Sequence, residues 1–173
     1  MGAPDRLFLS SVDSPIGQLA LACDAAGAVR GVSFGERLTR TMARGYPGAA
    51  TERGEAPAVV AEALAAYFGG DVKALTRIAW SLEGAAGEAG FQARVWRALA
   101  QVPVGTTISY GEMAKRAGEP GAAQAAGVAL NRNPIPLVLA CHRVVGADGA
   151  MVGFGGGLER KTWLLLHEGA LLI

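Results

Sequence analysis

Cys141 is followed directly by His142 and Arg143, at the end of an apolar run from Ile135 to Ala140. A thiol is a weak nucleophile until it becomes a thiolate, and a neighbouring imidazole or cation favours that form. Adjacent residues on a strand point to opposite faces. Cys141 and His142 can therefore meet only if the chain turns there or a water bridges them. The residues alone leave two readings open: a reactive thiol, or the inert core thiol that most buried cysteines are. The only other histidine, His167, precedes Glu168 in Trp163-Leu164-Leu165-Leu166-His167-Glu168-Gly169, which reads as the last helix. An acidic side chain able to reach His142 would complete a Cys-His-Glu relay; a solvated helix terminus is the other reading of Glu168. Gly153-Phe154-Gly155-Gly156-Gly157 is a loop by composition. It lacks the Gly-Lys-Ser/Thr ending of a phosphate-binding loop. Phe154 could stack on a planar ligand or serve as the buried anchor of an ordinary turn.

The elements that must position these residues fall into two halves. Leu7–Leu9, Gly17–Cys23 and Val29–Phe34 are short apolar runs separated by turn residues, which predicts an antiparallel three-stranded meander. Residues 45–57 read as a surface loop. Helical spacing runs from Pro57 to Phe68 and is closed by Gly69-Gly70. The stretch 83–90 has no periodicity and marks the domain boundary. Beyond it, Phe91–Gln101 reads as a helix. Ser109, with Glu112 three positions on, forms a capping box for a helix running to about Ala117. Gly118-Glu119-Pro120 ends that helix, and a second runs from Gly121 to about Leu130, giving a helix-turn-helix pattern. This second helix is almost uncharged and built of Ala, Gly and Val. It suits either close approach to a groove or tight packing in a core.

Composition sets the outer bounds. The chain has 173 residues, of which 51% are hydrophobic and 18% charged, enough for one ordinary domain or two small ones. No apolar stretch reaches the roughly 18 residues that span a bilayer. Met1-Gly2-Ala3-Pro4-Asp5 has neither the basic run nor the apolar core of a signal peptide. Two cysteines give no disulfide framework. The expectation is a soluble, cytoplasmic, reduced protein. Net charge is +1, but residues 91–173 carry eight Lys/Arg against five Asp/Glu, the sign expected of a phosphate-binding surface.

The second half resembles the O6-alkylguanine-DNA alkyltransferases (methylated-DNA–protein-cysteine methyltransferases). The resemblance is carried by Ile108-Ser109-Tyr110-Gly111-Glu112, by Gly127 with Asn133-Pro134, and by Cys141-His142-Arg143-Val144-Val145-Gly146. It continues through Gly153-Phe154-Gly155-Gly156-Gly157-Leu158-Glu159-Arg160-Lys161 and Trp163-Leu164-Leu165 to His167-Glu168-Gly169. It covers residues 91–173 well. Residues 7–80 match more loosely, through Ser14-Pro15-Ile16-Gly17 and Tyr67-Phe68-Gly69-Gly70.

The resemblance implies an α+β fold. A small N-terminal antiparallel sheet with a helix (ribonuclease H-like, 1–85, structural) would pack on a mainly helical domain with a helix-turn-helix (winged-helix-like, 86–173). That second domain would bind DNA and accept the alkyl group. It implies direct reversal of DNA damage: irreversible, stoichiometric transfer from O6-alkylguanine, and O4-alkylthymine, to Cys141 after base flipping. His142 would take the thiol proton through a water, Glu168 would polarise His142, and Asn133 would brace the turn holding the cysteine. Tyr110 would crowd the target phosphate and donate a proton to the departing guanine. Leu130, Pro136, Val144, Phe154, Gly155 and Gly156 would line the alkyl pocket. Gln92 and Gly111 would touch the DNA backbone. The helix 121–130 would enter the minor groove of double-stranded DNA, where small side chains fit and sequence readout is poor. No cofactor is implied, and the protein would act as a monomer. Some relatives hold a structural zinc in the N-terminal part; Cys23 stands alone there, so no metal is expected.

Two positions depart from the family pattern. Gln124 stands where an arginine usually enters the base stack; it keeps hydrogen bonding but loses the charge and the planar guanidinium. Ala140 stands where a proline usually precedes the cysteine, and it leaves that turn less rigid. Two further readings remain: a non-catalytic or weakly active protein that binds alkyl lesions, and a Cys-His-Glu hydrolase or acyltransferase, which would need an oxyanion hole and repeated turnover.

Overall fold

Apolar residues alternating with short turns build the sheet of the N-terminal part in the computed structural model, which describes residues 2–171. Strands β1 (Arg6–Val12), β2 (Leu19–Cys23) and β3 (Val29–Ser33) pair in sequence as an antiparallel meander. Helix α1 (Leu38–Gly45) covers β3, and Gly31 makes that contact possible. A Cβ at Gly31 would lie 2.6 Å from Met42 Cε and 2.8 Å from Leu38 Cδ1. Only Leu38 and Met42 of this helix are buried. A two-residue stripe of that kind is too faint to predict a helix from sequence.

The segment 45–57 is not all loop. Strand β4 (Ala50–Arg53) adds to β1 in parallel, so the sheet has four strands in the order β3-β2-β1-β4. All four residues of β4 are exposed. Main-chain pairing with β1 and a surface ion pair of Glu52 with Arg6 hold the strand, and it lacks the apolar alternation that would mark it in sequence. Helix α2 (Ala58–Phe68) buries Val60, Ala63, Leu64 and Tyr67 and ends at Gly69. A 3-10 turn follows at Ala74–Arg77. Leu7, Ala22, Leu38, Met42 and Tyr46 form a core cluster beneath the sheet.

The chain divides into two units: Met1–Glu88 with Pro134–Val138, and Ala89–Asn133 with Leu139–Ile173. The first division falls inside the aperiodic stretch 83–90. A single cut in sequence misses the second feature: residues 134–138 join the first unit, where the Val32 N–H donates to Pro134 O at 2.9 Å. Leu137, buried within this insertion, has φ of 73°, a left-handed conformation rarely adopted by branched side chains.

The second unit holds α3 (Phe91–Leu99), β5 (Ile108–Ser109), α4 (Tyr110–Arg116), α5 (Ala123–Asn131), β6 (Val144–Val145) and α6 (Leu158–His167). Ser109 Oγ accepts the Glu112 N–H at 3.1 Å and caps α4. The Glu112 carboxylate turns outward to Arg116 Nε at 3.2 Å, so the capping box is formed on one side only. Between α4 and α5, Gly118 and Gly121 have φ of 90° and 87°, which the tight turn requires. Trp96 Nε1 donates to Ala129 O at 2.7 Å and pins α3 to the end of α5. The two-residue strands β5 and β6 pair in parallel, bringing the start of α4 beside the chain leaving the Cys-His-Arg turn. Among the described residues, no helix is long and apolar enough to cross a membrane.

Candidate active site

The second unit places Cys141, His142 and Arg143 in a 3-10 turn that joins the apolar run to β6. This is the change of direction that a straight strand could not supply. The Cys141 N–H donates to Leu139 O at 2.8 Å, and the Arg143 N–H to Ala140 O at 3.1 Å. Asn133 Nδ2 donates to Leu139 O at 2.7 Å and so spans the segment leading into the turn.

Burial pushes the Cys141 thiol up to about 11, against a hydrogen bond from Asn133, the N–H groups of Cys141 and His142, and the positive charge of Lys161. The resting residue is therefore a thiol. His142 is fully buried, and its Nε2 lies 2.8 Å from Glu168 Oε2. Burial lowers the His142 pKa below its ordinary value; Glu168 opposes that effect, while Arg143 and Lys161 add to it. Burial disfavours the Glu168 carboxylate, but hydrogen bonds from His142 and Arg143 outweigh it and hold the group at about 2. With Glu168 ionised, the proton of the neutral imidazole sits on Nε2, facing the carboxylate. Nδ1 then carries a bare lone pair. It is buried and has no hydrogen-bond partner among the described residues.

The cation that follows His142 in sequence does not serve the sulfur. Arg143 Nε donates to Glu168 Oε1 at 2.8 Å, and Nη2 to Oε2 at 3.0 Å. The cation acting on the thiol is Lys161 on α6, whose importance the residue pattern alone does not reveal. Its side chain is fully buried, and Nζ donates to Val144 O (2.7 Å), Val152 O (2.9 Å) and Gly153 O (3.1 Å). A legible signal was present: Lys161 shares the i, i+3, i+4 face of α6 with the buried Leu164 and Leu165.

Tyr110 begins α4, and its hydroxyl donates to Val152 O at 2.7 Å. Burial, and then the neighbouring Cys141, raise its pKa, so the phenol keeps its proton. A Cβ at Gly127 of α5 would touch the Tyr110 ring at 3.8 Å. Phe154 meets the His142 ring edge-on, with centroids 6.5 Å apart. Val144 and Leu130 are buried; Gly155 is exposed and Gly156 half-buried. Cys141, His142, Glu168, Asn133, Tyr110, Val144 and Phe154 are thus linked through direct contacts or a shared lysine. The other candidates stand elsewhere. Gln92 is half-buried on α3, Gly111 is exposed on α4, Gln124 is exposed on α5, and Pro136 belongs to the first unit. His167 stacks on Trp163 at 4.7 Å. No cluster of His, Cys, Asp and Glu suited to a metal ion occurs among the described residues.

Such a site, a buried Cys-His-Glu chain beside a helix-turn-helix, has known counterparts. The family profile "6-O-methylguanine DNA methyltransferase, DNA binding domain" matches residues 90–170. The methylated-DNA–protein-cysteine methyltransferase of Salmonella typhimurium is 38% identical over 173 residues, covering 97% of this chain and 99% of its own length. That of Mycobacterium leprae is 44% identical over 158 residues, covering 91% and 90%. The crystal structure of Mycobacterium tuberculosis OGT in complex with DNA superposes with a TM-score of 0.73 at 35% identity, covering 95% of this chain and 92% of that one. The chain belongs to the methylated-DNA–protein-cysteine methyltransferase family.

Proposed function

We propose that Cys141 is the cysteine that takes the alkyl group from O6-alkylguanine in DNA, with His142 Nδ1 as the base that frees its thiolate. The family repairs DNA by moving an alkyl group onto a protein cysteine. The observation that carries the assignment is the buried hydrogen bond between His142 Nε2 and Glu168 Oε2 beside Cys141. It fixes the tautomer and leaves Nδ1 as the acceptor.

The Cys141 proton passes to Nδ1 through an intervening water, and the imidazolium that forms is stabilised by ionised Glu168. Lys161 and the facing N–H groups stabilise the thiolate. The sulfur attacks the alkyl carbon, a new C–S bond forms, and the C–O bond breaks with its electron pair passing to guanine O6. Tyr110 supplies a proton to the departing base. The product is a thioether that no group in the site can hydrolyse, so each molecule reacts once. The same chemistry extends to O4-alkylthymine.

Inside the stack the alkyl carbon is out of reach, so the nucleotide is flipped out, with Tyr110 crowding its phosphate. Helix α5 enters the minor groove. Its exposed Gln124, Ala125 and Val128 are small or uncharged, which suits a lesion search across all sequences. Gln92 and Gly111 contact the backbone, and Leu130, Val144, Phe154, Gly155 and Gly156 shape the alkyl pocket. The protein works as a cytoplasmic monomer on duplex DNA.

Mass spectrometry after incubation with O6-methylguanine DNA tests this reading. The expected result is one methyl-sized gain on Cys141 and none in Cys141→Ala. Methyl transfer that survives in the variant sinks the assignment; lesion binding without any gain leaves a binding protein.

A further inference from the structure

Arg143 has no part in the reaction as described, yet it is the more firmly held partner of Glu168. Its fork grips both carboxylate oxygens, and Nη1 donates to Val102 O at 2.8 Å. Glu168 Oε2 is thus shared between His142 Nε2 and Arg143 Nη2. All three side chains are buried. A bidentate guanidinium fixes the plane of a carboxylate as well as its charge. Fixing that plane fixes the lone pair that His142 uses.

The charged and titratable groups around His142 are Lys161 from α6, Glu168 at the cap that ends α6, Arg143 from its own turn, and the Cys141 thiol before it. Glu168 is the only anion among them. Left alone in a low-dielectric site, it would draw a proton onto the imidazole, and an imidazole already protonated cannot accept one from the thiol.

We infer that Arg143 is a positioning residue for alkyl transfer: its fork orients Glu168 toward His142 Nε2, and its charge offsets Glu168 so that His142 rests neutral. This rests on the reading of His142 as the base. It gives the reason for a buried guanidinium whose three hydrogen bonds none reach the sulfur. It also explains how one carboxylate can orient a histidine without protonating it.

The test compares wild type, Arg143→Gln and Arg143→Lys by single-turnover methyl transfer across pH, with NMR titration of the His142 ring. Losing the compensating charge raises the His142 pKa. The acid limb of the rate profile then moves upward by about one pH unit in Arg143→Gln, within the range a contacting charge produces. On the alkaline side of that limb, Cys141 still gains one methyl group. Arg143→Lys, which keeps the charge but loses the fork, shifts the limb by less. A rate lowered equally at every pH, with His142 titrating as in wild type, overturns the inference and leaves Arg143 a scaffold residue. Should Arg143→Gln not fold, Arg143→Lys decides: losing the fork should slow transfer, and a wild-type rate together with a wild-type His142 titration overturns the inference equally. Absence of methyl on Cys141 in the wild type is the separate failure of the functional reading.

Discussion

The two cysteines of this chain occupy similarly buried places and have opposite surroundings. Cys23 ends β2, and Cys141 opens the 3-10 turn. Burial lifts both thiols to about 11. Around Cys23 the only further influence is Asp24, which also disfavours the anion. Around Cys141, Asn133, two backbone N–H groups and Lys161 all favour it. Burial therefore does not distinguish a reactive thiol from an inert one. The difference lies in the groups that wait for charge to form, the property expected of a preorganised site.

That contrast can be broken in order of effect. In the labelling assay, Cys23→Ala keeps full methyl transfer while Cys141→Ala loses it; transfer lost in both removes the contrast.

The next largest effect is on Glu168. Glu168→Gln removes the anion and leaves Arg143 and its charge buried without a counterion. The expected loss is about 3–5 kcal/mol in denaturant unfolding. The same pairing sets the acid response of the wild type. Glu168 has a folded pKa of about 2 against its ordinary 4.5, so its stabilisation is complete above 4.5 and disappears as pH falls toward 2. His142 acts in the same direction earlier: its folded pKa lies below 6.5, so stability begins to decline as pH drops through 6.5. Unfolding midpoints measured from pH 7 to 2 should fall in these two stages for wild type. Glu168→Gln should lack the lower one.

Lys161→Met tests the hold of Lys161 on the main chain at Val144, Val152 and Gly153. It keeps roughly the length of the side chain but loses three hydrogen bonds and the positive charge that favours the Cys141 thiolate. Methyl transfer should slow by roughly tenfold or more, the scale of a lost charge-assisted contact. Hydrogen exchange should rise in residues 150–156. Slower transfer with unchanged exchange would confine Lys161 to an electrostatic role.

Ala140→Pro gives the smallest effect. Ala140 has φ of −77°, inside the range of proline, and its N–H forms no hydrogen bond with the described residues. The substitution should raise stability by roughly 0.5 kcal/mol through the unfolded chain and leave methyl transfer intact. A lower melting temperature would mean the buried position has no room for the ring.

Much of this is legible in the sequence, for uneven reasons. Helices α2 to α5 announce themselves through apolar spacing, the Ser109 cap and their glycine stops. The pairing of Glu168 with His142 came from resemblance, because no spacing rule connects residues so far apart in the chain. Strand β4 is invisible because its side chains are all exposed and carry no apolar alternation; Glu52 pairs with Arg6 at the surface. Proximity in sequence misdirects the reading of Arg143: two residues from Cys141 in the chain, it turns to Glu168 in space. Lys161 shares a helical face with Leu164 and Leu165, which points it inward, but only the structure shows that its charge acts on Cys141.

Val152 carries a further consequence. The residue is 45% exposed, while its carbonyl accepts from both Tyr110 Oη and Lys161 Nζ. Both donors are thus received by a main-chain oxygen, an atom common to every amino acid. Substitution at 152 leaves it in place, whereas inserting or deleting one residue between Gly146 and Gly157 displaces it. Descendants of this gene can thus vary in residue identity here but are held to a fixed loop length.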